Sequence, residues 1–225
     1  MSFRTGRFYT LRMTRTLLAF GDSNTHGTMP TAVWGQGGRF GPDDRWPGVM
    51  RNALGPDWTV IEEGLPGRTA TALPDPVMGP HMNGQLGLRI ALATHKPIDA
   101  LTIMLGTNDC KATFGLTAAG IAGAVAALLA IAKDPLMQAD HGGFDILLIA
   151  PPLVRQEGIY VDGLWQAAGK SAELPALYAD LAAHNRIHFL DASMLIQSCA
   201  EDGVHFDSAA HRTLGRAVAD RIAAL

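Results

Sequence analysis

Three apolar runs in this chain stop in the same way, at polar residues interspersed with glycine. Leu17-Leu18-Ala19-Phe20 runs into Gly21-Asp22-Ser23, and Trp58-Thr59-Val60-Ile61 runs into Glu62-Glu63-Gly64-Leu65-Pro66-Gly67. Ala100-Leu101-Thr102-Ile103-Met104-Leu105 runs into Gly106-Thr107-Asn108-Asp109. A short apolar run bounded by such residues reads as a buried strand ending in a tight turn. Between the runs the apolar spacing turns helical. Trp46, Val49, Met50, Ala53 and Leu54 form one such set, closed by Gly55-Pro56; residues 86–95 form a second, closed by Lys96-Pro97; the Ala-rich stretch 117–133 forms a third. A fourth strand over Asp145–Ala150 is stopped by Pro151-Pro152, and a fifth is expected over 187–191. Further helices are expected over 171–184, with Ser171 as N-cap, and over 208–225. Strands alternating with helices make right-handed βαβ units and a sheet covered on both faces. The expected fold is therefore α/β, a three-layer α/β/α sandwich on a five-stranded, mostly parallel sheet. The polar turns then gather at the carboxyl ends of strands one to three, where open α/β sheets bind ligands.

A chain of 225 residues, 48% hydrophobic, buries a sizeable core as one domain. The domain is expected over 13–225, because the first strand follows closely on Met13; residues 1–12 then form an N-terminal extension. A formal net charge of -3 gives no electrostatic reason to expect nucleic acid or an anionic membrane surface as partner. No apolar run approaches the roughly 20 residues of a membrane span. Two cysteines, Cys110 and Cys199, make neither a metal-ligand spacing nor a disulfide framework, so neither a metal nor another cofactor is expected. With no apolar signal-like segment near the start, a cytoplasmic location is the expectation.

Ser23 stands at the mouth of the expected sheet. A serine hydroxyl is a poor nucleophile unless a base lies in hydrogen-bond reach and an acid orients that base. Asp202-Gly203-Val204-His205 supplies both from one turn, in the chain order Ser, Asp, His. Taken singly, Ser23 reads equally as a turn or cap residue and His205 as an ordinary structural histidine. Acyl transfer also needs donors aimed at a developing oxyanion. The Ser23 N–H, the Gly67 N–H and the Asn108 side-chain amide are the groups available at the strand ends, although Asn108 alone also reads as a turn residue. Asp22 and Asp109 read as turn and cap residues, and Cys110 as a packed thiol. The Gly-rich segment 28–44 and the segment 153–169 read as loops over the mouth. Trp34, Phe40 and Trp46 are the bulky residues expected to line the substrate entrance.

Gly21-Asp22-Ser23, the Gly64-x-x-Gly67 turn, Gly106-Thr107-Asn108-Asp109 and Asp202-x-x-His205 resemble, in order and spacing, the four blocks of the SGNH, or GDSL-type, hydrolases. Phe20-Gly21-Asp22-Ser23, Ile61-Glu62-Glu63-Gly64-Leu65 and Ile103 to Asp109 look most like its arylesterase and acyltransferase (perhydrolase) group. The resemblance covers nearly all of 13–225. It implies the flavodoxin-like SGNH fold, with Ser23, Asp202 and His205 as triad and Ser23, Gly67 and Asn108 as oxyanion hole. It further implies a homo-oligomer acting on small acyl or aryl esters, with acyl transfer to alcohols or peroxide. A carbohydrate deacetylase and a thioesterase or lysophospholipase are alternatives within the same chemistry. A nucleotide- or flavin-binding module is the non-enzymatic alternative. Against the module, neither Gly-x-x-x-x-Gly-Lys nor Gly-x-Gly-x-x-Gly stands at the first turn, and Asp22 would repel a phosphate.

Overall fold

A computed structural model describes residues 14–225; the expected extension over 1–12 lies outside the described residues. Five strands, β1 (Arg15–Gly21), β2 (Trp58–Gly64), β3 (Ala100–Met104), β4 (Asp145–Ala150) and β5 (His188–Asp191), form one sheet in the order β2-β1-β3-β4-β5. Every pairing is parallel. Seven helices accompany them among the described residues: α1 (Ser23–His26), α2 (Trp46–Leu54), α3 (Gly84–Thr94), α4 (Ala118–Ala132), α5 (Pro135–His141), α6 (Ala167–Asn185) and α7 (Ser208–Ala223). No single one is long and apolar enough to cross a membrane.

The uninterrupted apolar runs follow from burial on both faces, as a parallel sheet requires. Leu18 and Phe20 of β1, Leu101 and Ile103 of β3, and Ile146 and Leu148 of β4 point into one core with Leu88 of α3, Leu128 of α4 and Leu174 of α6. The alternate residues Leu17, Ala19, Met104, Leu147 and Ile149 point into the other, with Trp46 and Met50 of α2 and Leu214 and Val218 of α7. The period of two along each strand thus becomes two separate cores.

Three expectations need correction. β2 continues through Glu62 and Glu63 to Gly64, because both acids are paired. Glu62 meets Arg45, with Arg39 and Arg51 each 3.8 Å away, and Glu63 meets His95 at 3.0 Å. Ser171 caps nothing: α6 begins four residues earlier. The Ser171 hydroxyl, buried inside the helix, accepts from the Val154 N–H and donates to the Ala168 carbonyl, both at 3.0 Å. Trp46, expected at the entrance, has no exposed surface and belongs to the core between α2 and the sheet.

The N-terminus of α2 is capped from a distance. Arg45 offers no side-chain cap; instead Nδ1 of His211, on α7, accepts the Trp46 N–H at 3.2 Å. Burial pushes His211 down to about 4, because protonation would charge a ring with no access to water. A depressed histidine favours the fold above its ordinary value near 6.5 and loses that advantage as pH falls toward 4. Replacing His211 with Asn keeps an acceptor near the Nδ1 position and removes the titration. The stability margin of the parent over His211→Asn is expected to shrink by about 2 kcal/mol between pH 7 and pH 5, measured by urea unfolding at the two values.

Candidate active site

β1 has β2 on one side and β3 on the other, so the chain leaves β1 at the point where the strand order reverses. Such a switch point opens a crevice between diverging connections. The β1 turn enters α1 directly, with the Asp22 carboxylate accepting the Asn24 N–H at 2.9 Å as N-cap. Ser23 is the first residue of α1, where an N–H has no intrahelical acceptor.

The turn after β2 is fastened to the turn after β1. Leu65 N–H donates to the Gly21 carbonyl at 3.1 Å, and the Arg68 guanidinium donates to the same carbonyl at 3.0 Å and to the carbonyl of Glu63. Arg68 also lies over the Phe20 ring, 4.2 Å from its centroid. Gly67 carries φ +88, which glycine adopts freely, and a Cβ built there would stand 2.4 Å from the Met78 sulfur. The turn after β3 is fastened to the second turn in the same manner. Asn108 Nδ2 donates to the Arg68 carbonyl at 3.2 Å, and Asp109 accepts the N–H groups of Ala70 and Thr71 at 2.9 and 2.8 Å. Asn108 Nδ2 has a second hydrogen, for which Asp22 Oδ2 stands at 3.5 Å. Asp22 and Asp109 therefore hold turns together, in agreement with the expectation from sequence.

Asp202 and His205 arrive from the far end of the chain. His205 Nδ1 donates to Asp202 Oδ2 at 2.7 Å, which leaves Nε2 as the acceptor for the Ser23 hydroxyl at 3.0 Å. Asp202 Oδ1 accepts the N–H groups of Val204 and His205, both at 2.9 Å. All three residues are buried, with Asp202 inaccessible. Gly203 has φ +79, and a Cβ there would come within 2.4 Å of the Glu157 carbonyl oxygen, so the loop requires glycine at this point. Asn24 closes the gap between the two ends of the chain, its Nδ2 donating to the Val204 carbonyl at 3.2 Å. This series of groups is able to move a proton from serine to imidazole while a carboxylate balances the new charge.

The buried acids are tuned differently. Burial raises Asp22 to about 6 against the pull of the Asn24 N–H, and it raises Asp109 to about 6 against the backbone N–H groups of Ala70, Thr71 and Asp109 itself. Burial also pushes Asp202 upward. There the hydrogen bond and charge of His205, with two backbone N–H groups, more than reverse the effect and hold it below the usual carboxylate value. Cys110 is fully buried, and burial together with the charge of Asp109 raises its thiol to about 12, which removes it as a nucleophile.

Of the three aromatic residues expected at the entrance, Trp34 stands beside this group, packed edge-to-face on Tyr160, which packs edge-to-face on His205. Phe40 is half-buried with its ring against His211. Asn24, Arg68, Tyr160 and Thr31, whose N–H reaches Asp202 Oδ2 at 3.3 Å, were not singled out from sequence as site residues. Asn24 directly follows Ser23 and Arg68 directly follows Gly67, so adjacency to a motif was the available signal. No group of three or more His, Cys, Asp or Glu side chains among the described residues is placed to hold a metal ion.

Residues 19–213 match the profile of the GDSL-like Lipase/Acylhydrolase family. Among solved structures, a carbohydrate acetylesterase from Sinorhizobium meliloti superimposes with a TM-score of 0.89 at 34% identity, covering 94% of this chain and 99% of that one. The native aryl esterase of M. smegmatis superimposes with a TM-score of 0.86 at 36% identity, covering 94% of this chain and 100% of that one. Its inhibitor-bound form gives 0.88 at 35%, with coverages of 94% and 100%. Comparison with curated proteins gave no match.

The tuning of Asp109 is open to measurement. A buried carboxyl raised to about 6 stabilises the fold most below its unfolded value of 3.8 and loses that contribution as pH rises through 6. The stability margin of the parent over Asp109→Asn is therefore expected to grow by about 1 kcal/mol from pH 7 to pH 5, opposite in sign to the trend for His211→Asn and checked in the same unfolding series.

Proposed function

The chain belongs to the GDSL-like lipase/acylhydrolase family, and from that premise we propose that it is a serine esterase that cleaves small acyl and aryl esters through an acyl-enzyme. The observation that carries this reading is the unbroken series from Ser23 Oγ through His205 to Asp202, with contacts of 3.0 and 2.7 Å. Ser23 Oγ attacks the ester carbonyl as its proton passes to His205 Nε2, and Asp202 stabilises the imidazolium. The resulting oxyanion is received by the N–H groups of Ser23 and Gly67 and by the Asn108 Nδ2 hydrogen that otherwise faces Asp22 Oδ2 at 3.5 Å. The tetrahedral adduct collapses, His205 returns the proton to the departing alkoxide oxygen, and the acyl group stays on Ser23. A second nucleophile, deprotonated by His205, then attacks the acyl carbon, and His205 returns that proton to Ser23 Oγ as the acyl–Oγ bond breaks.

In this reading the second nucleophile is water, an alcohol or peroxide. The two attacks compete by rate, so a tenfold preference needs only about 1.4 kcal/mol between transition states. In this reading Met78, whose sulfur stands beside Gly67, bounds the acyl side and limits its length. The solved aryl esterase and carbohydrate acetylesterase with this fold are consistent with an ester substrate class and leave the choice of alcohol open.

Ser23→Ala and His205→Ala are each expected to lower kcat by more than about 10⁴-fold without unfolding the protein, and the double variant by little more than either. Asn108→Ala should cost about 10²- to 10³-fold. Retained turnover together with retained stoichiometric labelling by an organophosphonate in Ser23→Ala would remove the assignment. With p-nitrophenyl acetate and added benzyl alcohol, benzyl acetate is expected beside acetate, and octanoate esters should react more slowly than acetates. Acetate as the sole product, with faster octanoate turnover, would make the protein a plain esterase for longer chains.

A further inference from the structure

The reading above fixes which side of the reacting carbon each half of the ester occupies. His205 Nε2 must deliver a proton to the leaving oxygen, so the alcohol half lies on the His205 side; the carbonyl oxygen lies on the side of Gly67 and Asn108. On the His205 side the structure presents aromatic surface. The Tyr160 ring meets the imidazole at 80°, centroids 5.8 Å apart, and the Trp34 ring meets Tyr160 at 88°, centroids 5.0 Å apart. The two side chains thus make a right-angled corner that begins at the catalytic histidine and opens outward.

The corner is held from both loops. Tyr160 is half-buried against the core beneath it, and its carbonyl accepts the Leu164 N–H at 3.1 Å. Trp34 sits at the tip of a closed loop. Thr28 and Arg39 pair across its base, and Phe40 N–H donates to the Gly27 carbonyl at 2.8 Å. At the tip Gln36 N–H donates to the Val33 carbonyl at 3.2 Å, around a turn whose third residue, Gly35, has φ +76. Thr31 ties this tip to the catalytic acid through its N–H on Asp202, while its hydroxyl exchanges hydrogen bonds with the backbone of Val33. Even so, Trp34 remains 70% exposed. An indole packed on the ring that in turn packs on His205, and still mostly in water, has a large apolar face available to a ligand.

We propose, resting on the esterase reading, that Trp34 and Tyr160 form the subsite for the alcohol half of the ester and that this subsite prefers a six-membered ring, aryl or pyranosyl. Such a ring offers a flat face to one wall of the corner and its edge to the other. A linear alkyl chain covers less of either wall. Both ring types use the same contact, stacking of an aromatic face or of a sugar's axial C–H face on indole and phenol. The acyl half does not touch the corner, so its length preference is independent of these residues.

The test compares three acetates that share one acyl-enzyme: phenyl acetate, a monoacetylated methyl xylopyranoside and n-hexyl acetate. kcat/KM reports acylation alone, the step in which the alcohol is still present. In Trp34→Ala the ratio of kcat/KM for a ring acetate to that for hexyl acetate is expected to fall about tenfold, and Trp34→Phe should restore most of it. Tyr160→Leu should lower the same ratio. A fall with phenyl acetate alone identifies aryl alcohols as the natural occupants, and a fall with the xyloside alone identifies sugars. An unchanged ratio in a folded, active Trp34→Ala would overturn the subsite. So would an unchanged ratio combined with a smaller assembly in analytical ultracentrifugation, which would assign Trp34 to contacts between copies of the chain. Failure of the parent to cleave any of the three would instead strike at the esterase reading.

Discussion

Gly21 pairs with Gly64 on one side and with Met104 on the other, so β1, β2 and β3 end at the same level of the sheet. The three turns that follow have no choice but to meet. Hydrogen bonds then lock them: the Leu65 N–H and the Arg68 guanidinium both donate to the carbonyl of Gly21, and the Asp109 carboxylate accepts the N–H groups of Ala70 and Thr71. A slip of one residue in either ladder would invert the buried pattern of a strand that is apolar on both faces, and would move Ser23 a strand step away from Gly67 and Asn108. The relative placement of the Ser23 and Gly67 N–H groups, two of the donors in the proposed reaction, thus follows from strand register, while that of Asn108 Nδ2 depends also on its bond to the Arg68 carbonyl.

Much of this was legible because the relevant signals are local. Helix α2 and strand β4 follow the expected bounds to the residue, since Gly55-Pro56 and Pro151-Pro152 end them and the apolar spacing is clean. The candidate triad was legible for another reason: the residue types and their spacing constrain each other through chemistry. What was missed depended on partners far away in the chain. Glu62 and Glu63 looked like a turn because two acids in a row interrupt the apolar run; Arg39, Arg45 and Arg51 pair Glu62 from other elements, while Arg68 and His95 meet Glu63. Ser171 looked like a cap because serine favours caps, yet its hydroxyl is spent on Val154. Helix α5 was unread although Asp134-Pro135 is a good start signal, with Asp134 capping Leu136 and Met137; seven residues are too few for a periodic pattern to stand out.

Aromatic residues were the least legible class. Trp34, Phe40 and Trp46 lie within thirteen positions of one another and have three different fates: an exposed wall, a half-buried partner of His211 and a core residue. Their hydrophobicity alone does not distinguish these outcomes. The outcome is decided by which face of α2 meets α7 and by how the 28–44 loop is pinned to Glu62 and Asp202, both tertiary facts.

The two sides of the reacting carbon rest on different kinds of structure. The side proposed to receive the oxyanion is built from strand ends locked by backbone bonds and two buried aspartates, and its geometry follows the sheet. The histidine side is built from loop on loop. Gly203 passes against Glu157, Arg155 N–H donates to the Gly203 carbonyl, Asn24 holds Val204, and Thr31 touches Asp202. Changes in the 28–44 and 153–166 loops therefore alter what stands beside His205 without disturbing the donors at Gly67 and Asn108. In the proposed reaction, selectivity for the alcohol half is therefore separable from the capacity to stabilise an oxyanion.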